Sequence, residues 1–335
     1  MTNPEQIREI AAIRSGKPAG YPDHAVHAGF AAGRLGLAFH DLDGDSGLVF
    51  QISHGDRRIT FGGGRCSHFP QNNAAASTLA MDKYFANVVL EHAGIPTLGG
   101  QYFFLHARHR AYRAAGHERS DAAIYLETLG ERGFIKPLAG SRGDFAQAIA
   151  KDALSLYLDE VARYYDAALI QPIVTGDEYR IFVLDNAVLY CARKHPATLT
   201  GDGTHSLGAL AAAHNAKLAS LGISPAIVAA TDPVPAAGER VPLAGRMNLS
   251  AGGAMRFETP ASEAVFEVAR RAARALGLRA AGVDVLTNVN GDPDSIAVIE
   301  VNANPSIRFL EDGGRPDLIL KIWQHTFAAM GLISV

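Results

Sequence analysis

Residues 279–309, RAAGVDVLTNVNGDPDSIAVIEVNANPSIRF, constrain the fold more than any other stretch, because they read as two alternating strands joined by a turn rich in Asn, Gly, Asp and Pro. A strand's side chains alternate between two faces, so Ala281, Val283 and Val285 share one face, and Ala297, Ile299 and Val301 share a face of the following strand. These are the expected core faces. Gly282, Asp284, Glu300 and Asn302 then point the other way. An antiparallel register centred near Asp292 sets Asp284 opposite Glu300, at the roughly 4.5–5.5 Å Cβ separation of cross-strand neighbours.

Two carboxylates that close repel each other unless a cation or a shared proton lies between them. With an amide oxygen beside them and no His or Cys, the donor set is hard, and Mg²⁺ binds through one or two carboxylates together with substrate phosphates. For any one of these residues, an ordinary charge on a half-solvated strand face is the alternative. For Asp284, Glu300 and Asn302 together, with Ala303-Asn304-Pro305 stopping the strand beside them, the expectation is a metal–phosphate site.

The rest of the chain sets the class. Its 335 residues suffice for two or three domains, and 48% hydrophobic with 19% charged residues is the composition of a soluble globular protein. A formal charge of −3 offers no global attraction to nucleic acid or to an anionic membrane, so neither is expected as a partner. Cys66 and Cys191 lie in no CxxC or Cys/His pattern and read as free thiols in a reducing cytoplasm. No signal-peptide core and no 18-residue apolar run occurs, which again points to a cytoplasmic protein. The histidines show no HExxH spacing, and His106 and His109 read as surface residues.

Asn3-Pro4-Glu5 starts a helix, and a second spans 23–35. A hairpin follows through GLVFQIS and RRITF, and Gly62-Gly63-Gly64 reads as a turn. The spacing predicts a helix over 78–93 with Met81, Phe85, Val88 and Val89 inward. A short strand, 133–136, ends in Lys136 and enters a glycine-containing loop through Gly140 and Gly143, an arrangement that lets backbone N–H groups approach an anion. Further expectations are a helix over 145–163, a strand over 167–171, an antiparallel meander beyond Pro172, a helix over 207–221, a surface connection over 232–242 and a helix over 262–276. The switch from an αβ unit to the meander places a domain boundary near Pro172.

The order of these parts resembles the ATP-grasp superfamily, and more closely the ATP-grasp region of cyanophycin synthetase and glutathione-synthetase-like ligases. The strings that carry the resemblance are MDKYFANVVLEHAGIP, FIKPLAGSRG, IQPIVTGDEYRIFVL, ARKHPATLTGDGTHSLGAL, NLSAGG and VIEVNANPSIR, spread over residues 48–309. The resemblance implies an α+β ATP-grasp fold. A short N-terminal α/β subdomain would cover 1–75, a central subdomain with a glycine-rich lid 76–172, and a C-terminal subdomain with the metal site 173–335, the last two clasping the nucleotide.

It also implies roles. Asp284, Glu300 and Asn302 would hold Mg²⁺, with Mn²⁺ as the alternative, between the β- and γ-phosphates of ATP. Lys83 and Lys136 would contact phosphates, with Gly140, Ser141, Arg142 and Gly143 as the lid. Gln171 and the backbone of Ile173 and Val174 would receive the adenine edge, and Glu178 the ribose hydroxyls. Arg193 and Arg308 would stabilise the transferred group and hold the substrate carboxylate. Arg180, Arg246, Asn248, Gly252, Gly253 and Ser306 would lie on the substrate side.

Gln171 stands where the family commonly has Glu, offering an amide oxygen but no charge. The lid differs from the more glycine-rich, His-containing form in cyanophycin synthetase, and that protein's Mur-ligase-like region has no counterpart. The activity so implied is ATP-dependent carboxylate–amine ligation of small-molecule acids and amines, amino acids or short peptides, through an acyl phosphate. A kinase on the same fold and a non-catalytic nucleotide-binding scaffold are the alternatives, and a homodimer is left open.

Overall fold

The structure is a computed structural model that describes residues 3–44, 46–62, 68–140, 143–220, 232–243, 253–260 and 262–334. Two helices open the chain, α1 (Pro4–Ser15) and α2 (Asp23–Arg34). Asn3 caps the first, its Oδ1 accepting from the N–H groups of Glu5 and Gln6. Strands β1 (Ala38–Asp41), β2 (Val49–His54) and β3 (Arg57–Gly62) then form a three-stranded antiparallel meander.

Helices α3 (Ala74–Met81) and α4 (Lys83–His92) lead to β4 (Gln101–Phe104), α5 (Arg119–Thr128), β5 (Arg132–Pro137), β6 (Gln147–Ala150), α6 (Leu154–Val161) and β7 (Ala167–Gln171). These four strands make an antiparallel sheet of order β4-β7-β5-β6. Next come β8 (Asp177–Leu184), β9 (Ala187–His195), β10 (Thr198–Thr200), α7 (Leu207–Ser220) and β11 (Arg240–Pro242), with β10 and β11 paired. The chain continues through β12 (Ala254–Arg256), α8 (Ala264–Ala275), β13 (Ala280–Val289), β14 (Asp292–Asn302), α9 (Arg308–Asp312) and α10 (Pro316–Ala329). The largest sheet is antiparallel throughout, in the order β12-β9-β8-β13-β14.

Period-two alternation gives each large sheet one apolar face and one that carries polar groups beside apolar ones such as Phe182 and Leu169. On the five-stranded sheet, Tyr179, Ile181, Val183, Val283 and Val285 pack with Val265 and Ala269 of α8 and with Ala76, Ala86 and Leu90 of α3 and α4. On the four-stranded sheet, Phe103, Ile135 and Ile170 pack with Leu126 and Leu158. A third core joins the two ends of the chain: Phe50, Phe61 and Phe69 surround Trp323 of α10, with ring centroids 5.7–6.4 Å away.

Four expectations need correction. The helix over 78–93 is two helices, because Asp82 adopts an extended conformation and caps α4 through the N–H groups of Tyr84 and Phe85. That break resets the helical phase, leaving Met81 53%, Phe85 44% and Val88 44% exposed while Ala86 and Leu90 are buried. The start of the expected helix 145–163 is instead β6, paired edge-on to β5, and α6 begins only at Leu154. The end of the 232–242 connection is β11. In β14 a bulge at Ile299 pairs Asp284 with Glu300 but Val285 with Val298, so Val298 rather than Ile299 joins Val301 in the core. Among the described residues no helix is long and apolar enough to cross a membrane.

Candidate active site

The hairpin β13–β14 pairs as its sequence implies, with Asp284 opposite Glu300 and Gly282 opposite Asn302. Gly282 is required by a close approach, since a Cβ there would lie 2.7 Å from Cβ of Pro305 in the loop that ends the strand. Asp284 is only 1% exposed and is flanked by cations. Arg180, its cross-strand partner on β8, donates from Nε and Nη2 to its two oxygens, both at 2.6 Å. Lys194 of β9 donates to Oδ2 at 2.8 Å and also to Glu178 Oε1.

Burial alone would push the Asp284 carboxyl up, but the charges of Arg180 and Lys194 hold it well below the usual carboxylate range. Burial would likewise lower Arg180 and Lys194, and Asp284 keeps both above their ordinary values. The repulsion expected between the carboxylates is therefore offset by protein cations. Among the described residues no group of three or more His, Cys, Asp or Glu is gathered around a metal position. The free donor capacity lies at Glu300 and at the amide of Asn302, whose Nδ2 donates to Glu300 Oε1 at 3.2 Å.

The four-stranded sheet contributes a different kind of group. Lys136 pairs with Leu169 and Phe134 with Gln171, so Lys136 and Gln171 share the face opposite Ile135 and Ile170. Lys136 is buried, and no described residue hydrogen-bonds or ion-pairs its amine. Burial lowers its pKa to about 8; attraction to Glu300 raises it, repulsion from Lys83 lowers it, and Glu178 and Asp284 raise it further. Lys136 thus senses the carboxylate cluster without bonding to it.

Gln171 is fully buried, and its Nε2 donates to the carbonyl of Gly99 at 2.7 Å. A carbonyl only accepts, so the amide is fixed with Oε1 on the other side, where it has no partner among the described residues. Gly100 makes this approach possible: its φ is +112°, and a Cβ there would lie 2.7 Å from Cγ of Gln171. Lys83, at the start of α4, bonds through Nζ to the carbonyl of Gly140 and through its backbone N–H to Leu138, tying the helix to the loop after β5.

Thus Lys83, Lys136, Gln171, Glu178, Arg180, Asp284, Glu300 and Asn302 fall on the faces that carry polar groups or the loop beside them. Other expected residues do not come together with them. Arg193 points to the reverse face of β9, where it bonds Asp177, lies 3.9 Å from Glu258 and sits over the Tyr179 ring. Arg308 pairs with Asp23 at 3.0 Å and Asp312 at 2.8 Å, and its N–H reaches Ser306 Oγ at 3.4 Å. Ile173 and Val174 lie in the connection between β7 and β8, Gly143 at the end of the expected lid and Gly253 just before β12. Ser141, Arg142, Arg246, Asn248 and Gly252 lie outside the described residues.

Two contributors were not anticipated. Lys194 takes the position expected of Arg193, and the only signal for it is its place next to that arginine. Asn72, buried ahead of α3, donates to the carbonyls of Ala280 and Ala303 and accepts from the N–H groups of Arg279 and Ala280, joining the start of β13 to the end of β14. No sequence pattern marks it.

Comparison with known proteins follows this geometry. Residues 210–324 match the RimK-like ATP-grasp domain. The glutathione biosynthesis bifunctional protein GshAB of Desulfotalea psychrophila is 26% identical over 304 residues, covering 81% of this chain and 36% of that protein. Cyanophycin synthetase of Crocosphaera subtropica is 26% identical over 268 residues, covering 70% and 28%. The crystal structure of a bifunctional glutathione synthetase from Pasteurella multocida superposes with a TM-score of 0.51 at 19% identity, over 93% of this chain and 46% of that one. The chain spans about a third of the length of the curated relatives it matches.

Proposed function

The fold is ATP-grasp, and from that premise we propose that the chain is an ATP-dependent, ADP-forming carboxylate–amine ligase using a divalent metal and acting on amino acids or short peptides. The observation that carries this is Lys136, a buried ammonium that no described residue hydrogen-bonds or ion-pairs and whose strongest charge attraction is to Glu300. An unpaired buried cation is costly, and a phosphate oxygen is the partner it lacks. The buried, partnerless Oε1 of Gln171 on the same sheet face fits the 6-amino group of adenine.

Lys83 and Lys136 would hold the phosphates, and Lys194 and Arg180 would neutralise charge as it spreads over the transferring oxygens. Glu300 and Asn302, with Asp284 beside them once Arg180 or Lys194 releases one of its oxygens, are the residues that would hold the metal, which would supply Lewis-acid charge. The substrate carboxylate attacks the γ-phosphorus, the bond to the β-phosphate oxygen breaks, and ADP leaves. The amine nitrogen then attacks the acyl carbon, phosphate departs with the C–O bond, and the nitrogen loses a proton. No protein nucleophile is needed, and Cys191 is unsuited to be one, because burial pushes its thiol up to about 12. The division into 1–75, 76–172 and 173–335 is retained as part of the proposal.

The test is ADP release from Mg-ATP against amino acids and dipeptides, singly and in pairs, with mass spectrometry of the products. A pair-dependent product lighter than its parts by one water supports ligation. A product that gains phosphate from a single acceptor replaces it with a kinase.

A further inference from the structure

Two open clefts lie outside the Asp284 cluster, and their charge separates them. The larger, of about 350 Å³, is internally balanced: Arg110 and Arg113 each lie 3.5 Å from Glu118, and Asp121 also lines it. The second, of about 290 Å³, sits where the edge of the five-stranded sheet meets the β10–β11 pair. Its polar walls are His195, Thr198, Arg240 and Arg256, framed by Pro196 and Pro242, and among the described residues no carboxylate lines it.

The local structure explains why these cations converge. Ala254 pairs with His195 and Arg256 with Arg193, so β12 carries Arg256 alongside the end of β9, and strand alternation puts His195 and Arg256 on the face opposite Lys194. Arg240 opens β11 opposite Thr200 and donates from Nη2 to Thr198 Oγ1 at 3.0 Å, which aims its guanidinium without neutralising it. Arg256 has no ion pair or side-chain hydrogen bond among the described residues. Glu258, two residues beyond Arg256, is engaged by His195 at 3.0 Å and lies 3.9 Å from Arg193. A guanidinium cannot discharge by losing its proton, so two permanent positive charges share one concavity that no carboxylate among the described residues lines.

The geometry points to an oxyanion site: this cleft binds a carboxylate- or phosphate-bearing ligand through Arg240 and Arg256, with Thr198 and His195 as further hydrogen-bonding groups. Planar guanidinium groups match either anion in paired hydrogen bonds, and the junction of two elements is a usual place for a small-molecule site. The cleft lies on the reverse face of the sheet from Lys194 and Asp284, so its ligand is separate from the nucleotide phosphates. The inference does not depend on the ligase reading.

The experiment is calorimetric titration of the full chain with glutarate and, separately, with inorganic phosphate, each with and without saturating Mg-ATP, for the wild type, Arg256→Gln, Arg240→Gln and the double variant. The expected result is saturable binding of at least one anion that persists with Mg-ATP, weakens about tenfold in each single variant and is lost in the double variant. ATP-induced thermal stabilisation should be retained in all four proteins, which confirms that the variants fold. Tighter binding of glutarate identifies a carboxylated ligand, and tighter binding of phosphate a phosphorylated one. Three results overturn the proposal: no binding to the wild type at about 10 mM, equal binding to the double variant, or displacement by Mg-ATP. If ADP release fails for every substrate while the anion still binds here, the ligase reading falls and this site stands.

Discussion

The ammonium of Lys194 lies 2.8 Å from Oδ2 of Asp284, across the intervening strand β8. Its neighbour Arg193 bonds Asp177 on the other side of the same sheet. The two cations are adjacent in sequence and opposed in space. Lys194→Met should therefore lower kcat by about 100-fold or more if Lys194 stabilises the transferring phosphoryl group. Arg193→Ala should leave kcat within about threefold. Steady-state ADP release from both variants decides between them, and the reverse ranking would return the catalytic role to Arg193.

If Lys136 meets a phosphate, nucleotide binding should depend on pH. With its pKa lowered to about 8, the amine is charged below that pH and increasingly neutral above it, so ATP affinity should fall as the pH rises through 8. A phosphate beside the amine raises its pKa again, so binding at pH 8.5 should take up a proton. Calorimetry in buffers of different ionisation enthalpy measures that uptake, and Lys136→Met should abolish it.

Asn72 satisfies four backbone groups at the base of the β13–β14 hairpin. Asn72→Ala leaves buried donors and acceptors unpaired and should cost about 2–3 kcal/mol in urea unfolding. If it costs less than about 0.5 kcal/mol, the clamp is not a stabilising element.

Acid should destabilise the fold in two stages. Burial, then the charges of His68 and His27, push the His24 imidazole well below its ordinary 6.5, so it stays neutral in the fold while the unfolded chain takes up a proton. Stability then falls as the pH drops below 6.5. Glu311 acts lower down. Burial disfavours its charge, but hydrogen bonds from His27 and Arg14, at 2.8 and 2.6 Å, and their charges hold it at about 2 against an ordinary 4.5. Its contribution, about 3 kcal/mol, is complete above pH 4.5 and lost as the pH falls toward 2. Thermal melts should show a first decline below pH 6.5 that His24→Phe lessens, the His68 imidazole, also lowered by burial, supplying the rest. They should show a steeper one below 4.5 that Glu311→Gln lessens.

The alternation of the two strands and a register centred near Asp292 set Asp284 opposite Glu300, as observed, although a regular turn at Asn290-Gly291 alone would have set it opposite Ala297; two register shifts, between Thr287 and Val289 and at Ile299, make the difference. What could not be read was where a strand slips by one residue. Counted back from the Asp185-Asn186 turn, a regular β8–β9 hairpin would set Glu178 opposite Arg193. A bulge between Phe182 and Val183 moves Tyr179 opposite Arg193 instead, and Lys194 reaches Glu178. The same kind of slip at Ile299 exchanged the core residues of β14. Composition does not encode such a slip; the neighbouring strands select it. Asn72 was hidden for a related reason, since its four partners lie more than 200 positions away.

Trp323 sits among Phe50, Phe61 and Phe69, residues made long before it. On a ribosome adding roughly 5–20 residues per second, the first helices and the meander wait tens of seconds for the ring that fills their centre. During that interval their phenylalanines lack their main packing partner, so the nascent chain carries a sticky patch that α10 relieves. Elements made early are thus among the last to finish folding, and a chain stalled before α10 should be a substrate for chaperones.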